Sequence, residues 1–263
     1  MSEQSRNNKP GDAPRLPKND ASAKQLDKLL QRWPYEFGEV SARMARGADG
    51  RDLIQMRVDL GVLQMEVVDR PDGDLPMGER TFYDALLTMA FEEGDAFMLD
   101  MGLQVEVDRE FMQFYHRRIA WLALREFNRA VADADHTLAL MDFSTAHAPD
   151  EEWADQHEQY RPFVLFHRTQ ALALSRLEQA EPAAAVEAIR AGLKSIQEVF
   201  ARHEIAEEFD SDELVVKLRE MKRSLVDHYE VEPSLSEQLA EAIAREQYER
   251  AADLRDEIAR RGC

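Results

Sequence analysis

Hydrophobic and polar positions change their spacing three times along the chain. Residues 1–22 hold Lys, Asn, Asp, Ser and Pro without any period, which predicts a disordered tail. Leu26, Leu29 and Leu30 then share one helical face, and Pro34 ends that short helix. Between 38 and 73 the period becomes two. Val40, Ala42 and Met44 alternate with Ser41 and Arg43, "GADG" supplies a turn, and 53–58 and 62–68 read as two more strands around "DLG". The pattern predicts a three-stranded antiparallel meander, too small to stand without helices against one face. Gln55, Arg57, Gln64 and Glu66 would line its other face, the wet side of a half-buried sheet.

From Thr81 onward the spacing is that of helices. "TFYDALLTMAFEEG" opens on a Thr able to cap, closes on Gly94, and carries the stripe Phe82, Leu86, Met89 and Ala90. Segments 108–124 and 126–143 predict two helices meeting near Arg125. Segments 163–179 and 182–200 predict a second pair, with Pro182 where helix N-termini tolerate it. Ala130, Val131 and Leu138 recur as Ala185, Val186 and Leu193 at an offset of 55, which places a small residue at each crossing. The arrangement resembles the tetratricopeptide helix pair with a long insertion, since that repeat has a period of ~34 residues. Any antiparallel helix pair also needs small residues where it crosses, so both readings stand. The insertion, 144–160, reads as a solvated acidic loop. Residues 211–233 form a further amphipathic helix capped at Ser211, and "EVEP" breaks it as a linker.

The ending, "QLAEAIAREQYERAADLRDEIARRG", is the most informative stretch. Leu235, Leu239, Ala242 and Ile243 form one narrow stripe; Tyr248, Ala251, Ala252, Leu254 and Ile258 form a second. Each helix is expected to fall below the ~12 to 15 residues at which isolated helices become marginal. The paired alanines allow a close hairpin crossing, leaving Leu239, Ile243 and Leu254 as candidates for an outer surface. The run Leu239, Ala242, Glu246, Tyr248, Glu249, Ala251, Ala252, Leu254, Arg255, Asp256, Ile258 closely resembles the UVR motif, the helical hairpin named for the excision-repair subunits UvrB and UvrC. The wider layout, including "QMRVDLGVLQME", is similar to a bacterial family carrying a terminal UVR motif. What the resemblance implies is a contact device. UVR hairpins pair with one another between repair subunits, and similar hairpins occur in Hsp100-type unfoldases and in an activator of a protein-arginine kinase. Arg255 and Asp256 would then tune the choice of partner, since an exposed ion pair contributes only ~0 to 1 kcal/mol.

Charge narrows the partners. With 52 acidic against 33 basic residues the net charge is −19, which disfavours sequence-independent binding to phosphate backbones and favours proteins with basic patches. The sole cysteine, Cys263, has no second thiol for a disulfide or a zinc site, which fits a reducing compartment. The N-terminus lacks the apolar core of a secretory signal, and no window reaches the ~18 to 20 apolar residues of a membrane span.

Catalytic patterns are weak. There is neither G-x-x-x-x-G-K-S/T nor G-x-G-x-x-G after a strand, and no G-x-S-x-G elbow. His147 and His157 lie near Asp150, Glu151, Glu152 and Glu158 but match no ligand spacing. Asp72 and Asp74 in "RPDGDLP" read as an ordinary turn, since the Gly and Glu of a calcium loop do not follow. His116, Arg117 and Arg118 read as the exposed face of a helix, or else as a receiver for an acidic peptide or phosphate.

The expectation is therefore an α+β protein, mostly α: tail (1–22), short helix and meander (23–80), tetratricopeptide-like helical body (81–230) and UVR hairpin (234–263). It is expected to be cytoplasmic and non-enzymatic, without cofactor or metal. It would dock a protein carrying a UVR-like hairpin or a basic patch, or a second copy of itself, through Leu239, Ala242, Ile243, Tyr248, Ala251, Ala252, Leu254, Arg255, Asp256 and Ile258. The alternatives are an excision-repair accessory that touches DNA only through a repair subunit, and a catalytic or ligand-binding body.

Overall fold

A computed structural model describes residues 25–261, so the predicted tail and Cys263 lie outside the described residues. The fold is mostly helical with one small sheet. Helix α1 (Gln25–Arg32) stops where expected, and Trp33 Nε1 donates to Ser41 Oγ at the start of the sheet. Strands β1 (Ser41–Arg46), β2 (Asp52–Val58) and β3 (Gly61–Glu66) form the antiparallel meander in sequence order. Gly50, at φ +87°, takes the left-handed position of the first turn. Ile54, Met56 and Met65 face the helices and pack with Ala120, Trp121, Phe127 and Ala130.

The outer face is a polar ladder. In register, Gln55 accepts from Arg43 Nη2 at 2.7 Å and donates to Gln64 at 3.0 Å. Arg57 departs from the expected wet face. It is buried, with Nε donating to the Trp33 carbonyl and Nη1 to the Gly61 carbonyl, both at 2.8 Å. Strand β3 also ends two residues sooner than its apolar run. The Glu66 N–H donates to the Pro71 carbonyl, and Asp69 turns the chain at φ +55°. Asp72 Oδ1 accepts from the Asp74 N–H, so "RPDGDLP" is the turn expected.

Helix α2 (Phe82–Glu93) has its Thr81 cap and Gly94 stop. Its first turn gains a second cap from the next helix: buried Glu110 accepts from the N–H groups of Phe82 and Tyr83. Helix α3 (Met101–Ala123) starts earlier than its apolar pattern, at an Asp100 cap. It turns through Arg125, at φ +61°, into α4 (Phe127–Ala146). The acidic insertion is not a solvated loop. Asp150 caps a helix, α5 (Glu151–Glu158), that buries Trp153, Ala154 and His157, while Arg161 neutralises buried Glu158. An i, i+4 set of Trp153 and His157 was enough to bury one face once capped.

Helices α6 (Arg161–Glu178) and α7 (Pro182–Arg202) form the second antiparallel pair, and α8 (Glu213–Tyr229) closes the core. The cap of α8 is Asp212 rather than Ser211, with Oδ1 accepting from the N–H groups of Leu214 and Val215. Ala130 and Ala185 are both fully buried at their crossings. Among the described residues no helix is long and apolar enough to cross a membrane.

Candidate functional site

The C-terminal segment is built by local rules. Glu230 ends α8 in the left-handed conformation, and Pro233 bars its continuation. Ser234 then starts α9 (Leu235–Ala244) through a capping box. Its Oγ accepts from the Glu237 N–H at 3.2 Å, and Glu237 Oε2 accepts from the Ser234 N–H at 3.0 Å. After Ala244 the chain reverses at Glu246, φ +57°, where the Gln247 N–H donates to the Ala242 carbonyl at 2.8 Å. Helix α10 (Tyr248–Arg261) returns antiparallel.

The crossing is made by Ala242, Ala251 and Leu254, all buried, with Leu235 and Leu239 packed against them. Leu254 is therefore not an outer residue: at 8 % exposure it holds the hairpin together. Ala252 and Ile258 are half-buried. The exposed apolar groups are instead Ile243 at 54 % and Tyr248 at 70 %, flanking the turn. Arg255 does not bridge the two helices; it pairs with its neighbour Asp256 at 3.1 Å in solvent.

Residues 233–260 match the family model described as the UvrB/uvrC motif. No curated protein and no solved structure matches the chain. The match begins at Pro233 and covers both helices of the hairpin, so the motif and the structural unit coincide.

Glu237 fastens the UvrB/uvrC motif to the body, a role that sequence reasoning missed. Lys222 of α8 donates to its Oε1 at 2.9 Å, and Arg190 of α7 donates to its Oε2. Burial works to raise this carboxyl, but the hydrogen bonds from Arg190, Lys222 and the Ser234 N–H outweigh it and hold the pKa at about 2. The available signal was "SLSE", a Ser with Glu three residues on; it announces the capping box, whose Glu237 Oε2 is shared with Arg190 while Oε1 takes Lys222.

The histidines of the acidic segment are engaged by distant neighbours. His157 Nε2 meets Asp108 at 2.8 Å, and His147 Nδ1 faces the Phe97 carbonyl at 3.4 Å. No group of three or more potential metal ligands gathers among the described residues. The basic triplet is not an exposed face. Arg117 and Arg118 are buried, and burial pushes the half-buried His116 imidazole below its usual range.

Proposed function

We propose that this protein is a non-enzymatic adaptor or regulatory subunit of the cytoplasm that docks a partner protein through its UvrB/uvrC motif. The observation that carries the reading is the exposure of Ile243 and Tyr248 at the hairpin turn, beside Arg245, Glu249 and Arg250. A short hairpin whose own crossing is satisfied by Ala242, Ala251 and Leu254 has no internal use for an exposed tyrosine and isoleucine. The surrounding charges favour a partner of complementary charge. A partner hairpin of the same kind suits a surface this small, with a second copy of the chain as the alternative. We also read the α3–α4 and α6–α7 pairs as tetratricopeptide-like, supported by the buried alanines at equivalent crossings.

A second reading rests on the motif itself: an accessory of excision repair that binds a repair subunit. The net charge of −19 favours contact with that subunit over contact with DNA. The test is affinity capture with the full chain, a chain ending at Pro233, and a full chain carrying Tyr248→Asp. Light scattering on each bait reports self-association. Loss of a partner, or of a dimer, from both altered baits supports docking, and the partner's identity separates repair from other roles. Identical behaviour of all three would make the hairpin an internal packing element.

A further inference from the structure

Among the described residues, the buried arginines Arg70, Arg117 and Arg161 meet carboxylates, while Arg57 and Arg118 do not. Arg70 meets Glu106 at 2.8 Å, Arg117 meets Asp133 at 2.7 Å, and Arg161 meets Asp142 at 2.8 Å. Arg57 donates to backbone carbonyls. Arg118, only 1 % exposed, meets no carboxylate among the described residues. Nη1 donates to Thr137 Oγ1 at 3.0 Å, Nε reaches His167 Nδ1 at 3.4 Å, and Nη2 has no hydrogen-bond partner there. Asp133, the nearest acid in the same interior, is taken by both arms of Arg117. Arg118 still carries its charge at neutral pH: burial lowers its pKa to about 10 and no further. A buried cation without an acidic neighbour in contact is costly, and folded proteins tend to pair such groups.

The guanidinium does have somewhere to point. It lines a cavity of about 590 Å³ between α3 and α6, whose other walls are Phe111, Met112, Tyr115, Tyr160, Phe163 and Val164. Phe111, Tyr115 and Arg118 recur at helical spacing on α3, and the rings of Tyr115 and Phe163 lie 6.2 Å apart across the cleft. Arg118, with Val164 the most buried of the lining residues, sits at the deep end. Met112 and Tyr160, each about half exposed, stand at the mouth. The size is that of a small-molecule site, and an apolar cleft with one convergent polar group is the usual form of such sites.

We propose that this cleft binds a small amphipathic monocarboxylate, an alkyl or arylalkyl acid, with its carboxylate on Arg118 and its apolar body along Tyr115, Phe163 and Phe111. The carboxylate supplies the missing counter-ion, accepting from Nη2. The walls offer apolar area but no other charge for a second polar group, which disfavours sugars, nucleotides and polyanions. The site lies on the helical body, apart from the hairpin, so it stands or falls independently of the docking reading.

The experiment is calorimetric titration of the full chain with octanoate, decanoate and 4-phenylbutyrate, each below its micelle-forming concentration, against 1-octanol and decanamide. At least one acid is expected to bind with one-to-one stoichiometry, about tenfold or more tighter than the neutral chain of matched length, as a charge-assisted hydrogen bond gives. Arg118→Met should bring the acid to the level of the alcohol. Met112→Glu, at the exposed mouth, should weaken acids more than alcohols without disturbing the fold, which guards against a misfolded Arg118 variant. The assignment is overturned if no acid saturates, if acid and alcohol bind alike, or if both variants bind the acid as the unaltered chain does. It is equally overturned if an N-acetylated peptide ending in a free Leu carboxylate binds more tightly than every small acid, for the site would then read chain termini.

Discussion

Arg117 and Asp133 form a bidentate ion pair across the α3–α4 crossing, Nη2 to Oδ1 at 2.7 Å and Nε to Oδ2 at 2.9 Å, with both side chains buried. The third nitrogen, Nη1, donates to the carbonyls of Asp69 at 2.8 Å and Glu66 at 3.2 Å. One guanidinium thus joins the first helix pair to the chain leaving the meander. This is the reason the sheet sits where it does: its apolar face rests on Trp121 and Phe127, and its exit is pinned by charge.

Asp133→Ala leaves Arg117 buried without a counter-ion, which costs about 3 to 5 kcal/mol. Urea unfolding should show the midpoint fall accordingly. The joint replacement Arg117→Met with Asp133→Leu should be far milder, since removing both charges removes the desolvation cost as well. If the single and double replacements cost the same, the pair is not what joins the sheet to the helices.

Gly192 offers a sharper test of the α6–α7 crossing. A Cβ there would lie 1.9 Å from Thr169 Oγ1 and 2.4 Å from its Cγ2, and Thr169 is itself buried. Gly192→Ala should therefore destabilise by roughly 1 to 3 kcal/mol, although alanine is the better helix former. Adding Thr169→Ala should restore part of the loss, read as a rise in melting temperature over the single variant.

Much of this was legible in the chain. Period-two alternation and the turn residues predict the meander, and its observed register keeps Ile54 and Met56 on the covered face, which a one-residue slip would turn to solvent. The hairpin was legible because its paired alanines and its two apolar stripes agree with one short motif. Three of the departures have causes that no local pattern carries. The acidic segment around Trp153 looked like loop because its burial depends on Asp108 and Arg161, far away or outside the window. The triplet His116, Arg117 and Arg118 looked like a wet face because periodicity assumes charge is outside, and Asp133 is invisible as a partner until α4 folds back. Leu254 was read as outward because two stripes on two helices do not say which members meet.

His167 makes stability depend on pH. Burial first, and the charge of Arg118 second, push its imidazole down to about 4. The unfolded chain, titrating near 6.5, therefore binds the proton more readily than the folded one. Stability should be full above about pH 6.5 and fall as pH drops from 6.5 toward 4, by at most about 3 kcal/mol. Glu237, held at about 2, also loses stability on acidification, but in the window below the ordinary carboxylate value of 4.5. Chemical denaturation at a series of pH values should show His167→Gln reducing the loss in the upper window, where half-buried His116 also contributes, and leaving the lower window unchanged. An unchanged upper slope in that variant would assign it to another group.

The hairpin variants separate its two surfaces. Leu254→Asp places a carboxylate between Ala242 and Ala251, so the helices should part and hydrogen-exchange protection across 235–260 should be lost, together with partner capture. Ile243→Asp and Tyr248→Asp alter groups that already face solvent, so protection should stay within a few tenths of a kcal/mol while capture drops at least tenfold. Glu237→Gln keeps the capping box, since Gln serves at that position, but weakens the bridge to Arg190 and Lys222. Protection within the hairpin should then persist while its hold on the body loosens, seen as faster proteolysis around 230–233. Capture that survives both Ile243→Asp and Tyr248→Asp, with the hairpin still protected, would move the docking surface off the turn and leave these exposed apolar groups without a role.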